Sequence, residues 1–120
     1  MQLTMLKAKL HHARVTHSEL EYEGSCAIDG ALLKAAGIRE YEQIHIYNLD
    51  NGERFSTYAL PGRRGEGEII LNGPTARLGV IGDKVIIFCY EFFNDEEAKR
   101  HAPKIIQVDH QNRIRVTTSV

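Results

Sequence analysis

The chain has 120 residues, 42% of them hydrophobic and 26% charged, which is typical of a single globular domain with a substantial core. Its 15 basic and 16 acidic residues give a net charge of −1, so the composition disfavours nucleic acid as a partner. No apolar run approaches the roughly 18–20 residues of a membrane span, and the first residues lack the features of a signal peptide. We therefore expect one cytoplasmic domain over residues 1–120 without a membrane partner.

The first third of the chain predicts one strand and one helix. Apolar and polar residues alternate over Leu6–Leu10, as in a half-buried strand, so its lysines and His11 share one face. Asp29 is a good N-cap for a helix over residues 31–36. Gly37 suits the left-handed position that follows the end of a helix.

The rest of the chain alternates between strand and turn signals. Gln43–Asn48 predicts a strand, Asp-Asn-Gly at 50–52 is a strong turn signal, and Arg54–Ala59 predicts the next strand. Acidic residues followed by basic ones over 95–100 favour a second helical turn. Further strands are predicted at Glu68–Leu71, Lys84–Tyr90, Lys104–Val108 and Arg113–Val116. Residues 117–120 are expected to form a loose tail. This pattern predicts a mainly β fold, a small closed or nearly closed barrel with one or two short helices.

Neither the cysteines nor the histidines have the spacing of a metal site. The six histidines include no His-x-x-x-His pair and no cysteine–histidine cluster, so we expect no metal. Cys89 lies in an apolar run and is interpreted as a small core residue. Cys26 is considered as a functional residue only because it directly follows Ser25.

The Gly24-Ser25 pair has three interpretations. Most such pairs are turns. A serine hydrolase motif requires glycines two residues before and after the serine, where this chain has Glu23 and Ala27, and direct attack by Ser25 or Cys26 has no identifiable base partner. The third interpretation is self-processing. Glycine tolerates a strained backbone, so the serine hydroxyl can attack the preceding carbonyl, convert the amide to an ester and cut the chain by elimination.

The segment Tyr22–Asp29 resembles the processing segment of the bacterial aspartate 1-decarboxylases. Further motifs of that family follow in the same order and at similar spacing, so the resemblance extends from Leu3 to about Val116. These motifs are Lys9–His11, Val15–His17, Ala35–Ile38, Asn51–Tyr58, Asn72–Gly73 and Gly82–Ile87. The resemblance favours an enzyme over a non-catalytic β-barrel binding module, which the composition alone leaves open.

The resemblance implies a self-cleaving, pyruvoyl-dependent enzyme with a double-psi β-barrel fold. The chain would be cut between Gly24 and Ser25 into residues 1–24 (β chain) and 25–120 (α chain), and Ser25 would become a covalent pyruvoyl group. This group would form a Schiff base with L-aspartate and permit its decarboxylation to β-alanine and CO2, without pyridoxal phosphate or a metal. The family assembles as homotetramers and supplies pantothenate and coenzyme A biosynthesis. The sequence leaves open whether a maturation partner protein assists cleavage.

Four of the site residues follow from the resemblance and from their chemistry. Arg54 would bind a substrate carboxylate, since its guanidinium can do so bidentately, and Lys9 would add positive charge opposite the second carboxylate. Tyr58 would be the proton donor, on the same strand face as Arg54. Thr57 would contact both the substrate and the cleavage site. Simple alternation points Thr57 away from Arg54 and Tyr58, so this role requires a bulge or a site at the barrel edge.

A turn at 72–75 would line the substrate pocket. The family commonly has two alanines after its Asn-Gly pair, where this chain has Pro74 and Thr75. Pro74 removes a backbone donor and Thr75 adds a hydroxyl, so no contact through the amide of residue 74 is expected. Tyr22 and His11 would lie near the processing site. The predicted pocket loop consists of Asn72, Gly73, Pro74 and Thr75.

Overall fold

Nine β-strands, two short α-helices and one 3-10 helix make up residues 1–119, the part of the chain that the computed structural model describes. The strands are β1 (Leu3–Arg14), β2 (His17–Glu19), β3 (Ser25–Asp29), β4 (Gln43–Asn48), β5 (Arg54–Gly62), β6 (Ile69–Asn72), β7 (Lys84–Phe93), β8 (Lys104–Val108) and β9 (Ile114–Ser119). The helices are α1 (Gly30–Ala36), α2 (Asp95–Arg100) and the 3-10 helix (Gly73–Arg77). The predicted mainly β fold, a small barrel with two short helices, is confirmed.

Every predicted strand and both predicted helices are present, but the sequence pattern misses β2 and β3. β2 has only three residues, and β3 is buried along its whole length, so neither shows a usable alternation. The prediction of a loose tail is wrong for residues 117–119, because Thr117 and Thr118 pair with Ile106 and Ile105 of β8. The last residue of that predicted tail, Val120, lies outside the described residues.

The strand β3 is paired on both of its edges. The sheet order is β2–β6–β3–β5–β4–β7–β1–β8–β9. β3 runs parallel to β5, with Cys26 opposite Ala59, and antiparallel to β6, with Ser25 opposite Asn72. Because its backbone is hydrogen-bonded on both sides and its faces are buried, β3 holds its first residue, Ser25, in a defined place.

Apolar residues from the inner faces of the strands form one core. Ile44 and Ile46 of β4 and Ile87 of β7 are fully buried in it. Successive strand residues point to opposite faces, so His45 and Tyr47 lie on the outer face of the same sheet. The sheet therefore has an apolar inner face and an outer face that carries aromatic side chains.

The carboxylate of Asp29 joins β3 to α1 and to the loop that enters β6. Its Oδ1 accepts hydrogen bonds from the backbone N–H groups of Ala31 at 2.8 Å and Gly65 at 3.0 Å, and its Oδ2 accepts one from Gly67 at 2.7 Å. Burial alone raises the pKa of Asp29, but these three N–H groups and the charge of Arg113 outweigh burial and hold the pKa below its usual value. The ionised carboxylate therefore stabilises the fold above about pH 4, and this stabilisation is lost as the pH falls through the folded-state pKa.

We predict that Asp29→Asn lowers stability at neutral pH. An amide nitrogen in place of either oxygen leaves at least one buried backbone N–H without an acceptor, which costs about 1–3 kcal/mol. Thermal denaturation at one protein concentration should show a lower melting temperature at pH 7 and a smaller difference from the parent protein at pH 3. Glu66→Gln changes an exposed carboxylate in the same loop and should melt like the parent at pH 7. Equal melting of Asp29→Asn and the parent at pH 7 would contradict this role.

Candidate active site

Ser25 is fully buried and is held at both its side chain and its carbonyl group. The side-chain Nδ2 of Asn72 donates a hydrogen bond to Ser25 Oγ at 3.0 Å. The hydroxyl of Thr75 lies 3.2 Å from the carbonyl oxygen of Ser25 and 2.8 Å from that of Asn72. Because a hydroxyl has a single proton, Thr75 donates to one of these oxygens at a time.

This arrangement differs from that of a serine or cysteine hydrolase. Among residues 1–119, the side-chain partner of Ser25 Oγ is the amide of Asn72, which cannot act as a general base. The neighbouring Cys26 is buried, and burial raises the pKa of its thiol to about 12. A thiol with that pKa stays protonated and is a poor nucleophile. The geometry therefore gives no support to direct attack by Ser25 or Cys26 on a substrate.

Gly73 brings the pocket loop against the segment that precedes Ser25. Its backbone has φ of 65°, in the left-handed region, and a Cβ built on it would collide with the carbonyl oxygen of Tyr22 and lie 2.9 Å from the backbone nitrogen of Gly24. Pro74 follows at the start of the 3-10 helix, where its missing N–H is not needed, and a Cβ built on Gly24 would lie 3.5 Å from Pro74 Cδ. The structure thus brings together Tyr22, Gly24, Ser25 and all four predicted loop residues, from Asn72 to Thr75.

Arg54, Thr57 and Tyr58 all lie on β5, but they point to two different faces. Thr57 pairs with Ile44, which is fully buried, so its side chain is directed to the inner side, whereas Arg54 and Tyr58 are on the outer side. The β4–β5 register shows no bulge between the pair Gln43 and Tyr58 and the pair Tyr47 and Arg54. A bulge in this part of β5 therefore does not turn Thr57 to the side of Arg54 and Tyr58. Because Cys26 pairs with Ala59, Tyr58 lies level with Ser25 at the end of the β3–β5 ladder.

An aromatic face covers the outer side of β4 and β7. We use this name for His45, Tyr47, Phe88 and Tyr90, whose neighbouring rings have centroids 4.8–5.5 Å apart. The guanidinium carbon of Arg54 lies 4.8 Å from the ring centroid of Tyr47, a cation–π contact. These aromatic residues were not among the predicted site residues, although their period-two spacing at 45/47 and 88/90 is typical of one side of a strand.

Lys9 belongs to the same outer surface. It pairs with Phe88 across β1 and β7 and shares a cavity of about 280 Å³ with Tyr47, Phe88 and Tyr90. In the sheet order, β5, β4 and β7 lie between β3 and β1. Four strand spacings therefore separate β3 from β1, a distance of roughly 19 Å along the sheet. Arg54 lies four residues along β5 from Tyr58, or about 13 Å. Lys9 and Arg54 are therefore grouped with the aromatic face and not with the Ser25 cluster of their own chain.

His11 is on β1, opposite Gln107 of β8, and its ring stacks on His12 with centroids 3.8 Å apart. Its Nδ1 is buried and makes no hydrogen bond with the described residues. Burial, followed by the charges of His12 and Lys9, lowers the pKa of His11. These contacts place His11 beside Lys9, and no described hydrogen bond connects it to the Gly24-Ser25 segment.

The described residues were compared with the patterns of a metal site and of a membrane-spanning helix. No group of three or more histidine, cysteine, aspartate or glutamate side chains in residues 1–119 is arranged to hold a metal ion. Within the same range, none of the helices has both the length and the apolar character needed to cross a membrane.

Comparison with known proteins identifies the family. The family model for aspartate decarboxylase matches residues 1–115. The aspartate 1-decarboxylase of Methylococcus capsulatus is 61% identical over 118 residues, which cover 98% of this chain and 94% of the relative. That of Psychromonas ingrahamii is 58% identical over 95% of this chain and 90% of the relative, and that of Ralstonia nicotianae is 54% identical over the full length of both. The chain therefore belongs to the aspartate decarboxylase family of enzymes, as the resemblance of its motifs indicates.

Proposed function

We propose that this enzyme decarboxylates L-aspartate to β-alanine and CO2 after cleaving its own chain between Gly24 and Ser25. The names of its relatives support the reaction. One observation carries the proposed cleavage. The buried hydroxyl of Ser25 is held by Asn72 at 3.0 Å, directly after a glycine whose segment packs against Gly73.

The cleavage consumes the serine, whose hydroxyl is the nucleophile that opens the chain, and water reacts only after the chain has been cut. Ser25 Oγ attacks the carbonyl carbon of Gly24, the peptide C–N bond breaks as the hydroxyl proton passes to the nitrogen, and an ester forms with a free amino group on Ser25. Loss of the Ser25 Cα proton then expels the Gly24 carboxylate, which separates residues 1–24 (β chain) from residues 25–120 (α chain). Water hydrolyses the remaining dehydroalanine, ammonia leaves, and residue 25 ends as a pyruvoyl group. Asn72 orients the attacking oxygen while leaving its O–H bond free to lose the proton.

Processing also opens the site. Ser25 is fully buried in the intact chain, where Tyr22–Gly24 and the pocket loop pack together around Gly73. Breaking the Gly24-Ser25 bond turns Gly24 into a chain end that can move away from Gly73. We propose that this single event creates the reactive group and gives the substrate access to it.

The surroundings of Ser25 fit a pyruvoyl group. Such a group supplies a ketone that condenses with the amine of the substrate and an adjacent amide carbonyl that accepts electron density. That carbonyl is the Ser25 carbonyl, whose oxygen lies 3.2 Å from the Thr75 hydroxyl. A hydroxyl donor at this distance stabilises negative charge on the oxygen, and we assign this role to Thr75. The proposed chemistry uses neither pyridoxal phosphate nor a metal.

The substrate-binding residues require a second copy of the chain. Arg54 and Lys9 provide two positive charges for the two carboxylates of aspartate, but both lie with the aromatic face, away from Ser25 of the same chain. We propose that in a homotetramer the aromatic face of one copy covers the Ser25 end of a neighbour. The outward position of Tyr90, which is 44% exposed, supports an interface there. The number of four subunits rests on the family resemblance.

The proposed roles of Tyr58 and Thr57 rest on their positions along β5 relative to Ser25. Tyr58 is level with Ser25, and we propose that its phenol returns a proton to the former α-carbon of the substrate. Thr57 is directed to the inner side one residue earlier, which supports a contact with the cleavage segment. Tyr22 is assigned to processing because its carbonyl packs against Gly73. A role for His11 near the processing site is supported by the family resemblance alone.

The location, pathway and maturation of the enzyme follow from the resemblance alone. We propose a cytoplasmic enzyme that supplies β-alanine for pantothenate and coenzyme A biosynthesis. A maturation partner protein is needed only if the purified intact chain fails to cleave by itself, which incubation of the purified proenzyme decides.

We predict that fully active protein consists of fragments of 24 and 96 residues, the larger without a free α-amino group. Ser25→Ala should give one uncleaved chain with no decarboxylase activity, because the attacking hydroxyl is removed. Gel electrophoresis, intact mass measurement and an assay of CO2 release check this outcome. Ser56→Ala removes an exposed hydroxyl and should be cleaved like the parent. A single intact chain in fully active protein would exclude the proposed mechanism.

We predict that Gly73→Ala slows self-cleavage by at least about tenfold, because the added Cβ forces the Tyr22 carbonyl and Gly24 away from their present positions. Gly52→Ala is a matched control, since Gly52 also has a positive φ, of 79°, but has nothing within 4 Å of an added Cβ. The control carries the same backbone cost without the collision. The rate of appearance of the 24-residue fragment measures both. Equal rates for the two variants would show that the Gly73 contact does not position the cleavage segment.

A further inference from the structure

A polar cavity lies apart from Ser25, where the end of β1, the start of β7 and the β8–β9 turn meet. Its volume is about 350 Å³. Its polar lining, which we call the basic cleft, consists of His12, Arg14, Lys84, Asp109, His110 and Arg115. Three permanent cations face one carboxylate, so the basic cleft carries a formal charge of +2 even with both imidazoles neutral. The whole chain, by comparison, has a net charge of −1.

The backbone forces these cations together. Arg14 and Lys84 are direct cross-strand partners in the β1–β7 ladder, and like charges in that position repel. Asn112, which is buried, clamps the backbone of Arg14 by accepting from its N–H at 2.7 Å and donating to its carbonyl at 2.8 Å. The register shift between Leu10 and Ala13 places His12 at φ of 63°, where its ring stacks on His11. Strand pairing and the Asn112 contacts therefore fix the backbone positions of Arg14 and Lys84 before any ligand arrives.

The described side chains do not neutralise this charge. The ion pairs of residues 1–119 involve Lys7, Arg63 and Lys99 and no cation of the basic cleft. Asp109 Oδ1 already accepts backbone hydrogen bonds from Gln111 at 2.8 Å and Arg113 at 3.0 Å.

Within residues 1–119, the two half-buried cations, Arg14 and Lys84, likewise form no ion pair with an acidic side chain. Arg14 Nη1 donates to the carbonyl of Gly82 at 3.3 Å, and the carboxylate of Asp50 binds the backbone N–H of Lys84 and not its ammonium group. Their mutual repulsion is relieved when an anion lies between them.

An apolar cavity adjoins the basic cleft. It has a volume of about 450 Å³ and shares Arg14 and His110 with the basic cleft, while its remaining wall includes Val15 and Ile81. The side chain of Ile81 is 67% exposed, so its apolar surface is accessible to a ligand in this cavity. A ligand that fills both cavities needs a compact anionic end and an apolar part beside it.

We propose that the basic cleft binds the phosphate group of a small phosphate ester whose organic part rests on Ile81. Arg14 and Arg115 can each engage phosphate oxygens with a planar fork of donors, and Lys84 adds a point charge. The site is independent of the Ser25 chemistry, because its residues lie on β1, β7, β9 and the β8–β9 turn. Its failure and that of the proposed reaction are therefore separate results.

Calorimetric titration of the purified, matured protein at constant ionic strength tests this site, with inorganic phosphate and phenyl phosphate as the probes. Both should saturate one site per chain, with phenyl phosphate binding more tightly. Arg115→Gln and Lys84→Gln should each weaken both probes by about tenfold or more, since each removes charged hydrogen bonds. Arg64→Gln removes an exposed arginine outside the basic cleft and should leave binding unchanged.

Ile81→Ser separates the two parts of the ligand and should weaken phenyl phosphate while leaving inorganic phosphate unaffected. Absence of saturable binding, or equal weakening by Arg64→Gln and Arg115→Gln, would overturn the site. If phenyl phosphate binds no more tightly than inorganic phosphate, the assignment to an ester is overturned and the cleft holds an inorganic ion only.

Discussion

The burial of Ser25 at the start of a strand that is paired on both edges is the constraint on which the site depends. β6 brings Asn72 opposite Ser25, and β5 brings Tyr58 to the same level, so three strands meet at one residue. The loop that follows β6 can approach closely because residue 73 has no side chain. Of the two backbone carbonyls that flank the serine hydroxyl, the preceding glycine carbonyl is the one that it can attack through an unstrained five-membered ring. Close packing thus favours reaction of the chain with itself over reaction with a bound substrate.

The same constraint explains why the site falls into two groups. The Ser25 cluster is buried, whereas Arg54 and Lys9 lie with the aromatic face on the outer side of the sheet. In the proposed function each group is incomplete for aspartate chemistry, since one would offer the reactive centre and the other the charges that match two carboxylates. Assembly of copies would join them, and it would also cover aromatic side chains that a single chain leaves in contact with water.

The sequence predicts the half-buried parts of the fold well and the fully buried parts poorly. β4 and β5 alternate because one face is in the core, and α1 is marked by Asp29 at one end and by Gly37, with φ of 71°, at the other. β3 escapes detection because all five of its residues are buried. Residues 117–119 resemble a tail by composition, but pairing with the preceding strand, β8, makes them part of a strand.

The site shows the same division between local and distant information. Alternation correctly indicates that Thr57 points away from Arg54 and Tyr58. The bond from Asn72 to Ser25 joins residues 47 positions apart, so no local pattern could reveal it. The Lys9–His11 segment illustrates the converse. Its position in the sequence does not indicate that three strands of the sheet lie between β1 and β3. Only the family resemblance, which covers the whole chain, links these segments to one reaction.

The central claim is that residue 25 of the matured enzyme is the carbonyl that binds the amine of the substrate. Incubation with L-aspartate and cyanoborohydride, followed by digestion and mass spectrometry, tests it directly, because reduction makes such a bond permanent. We expect an amine-derived mass increase on the first residue of the 96-residue fragment, and no tag on the Ser25→Ala chain. Active enzyme that gains no tag at position 25, or that is tagged at a lysine instead, would contradict the account.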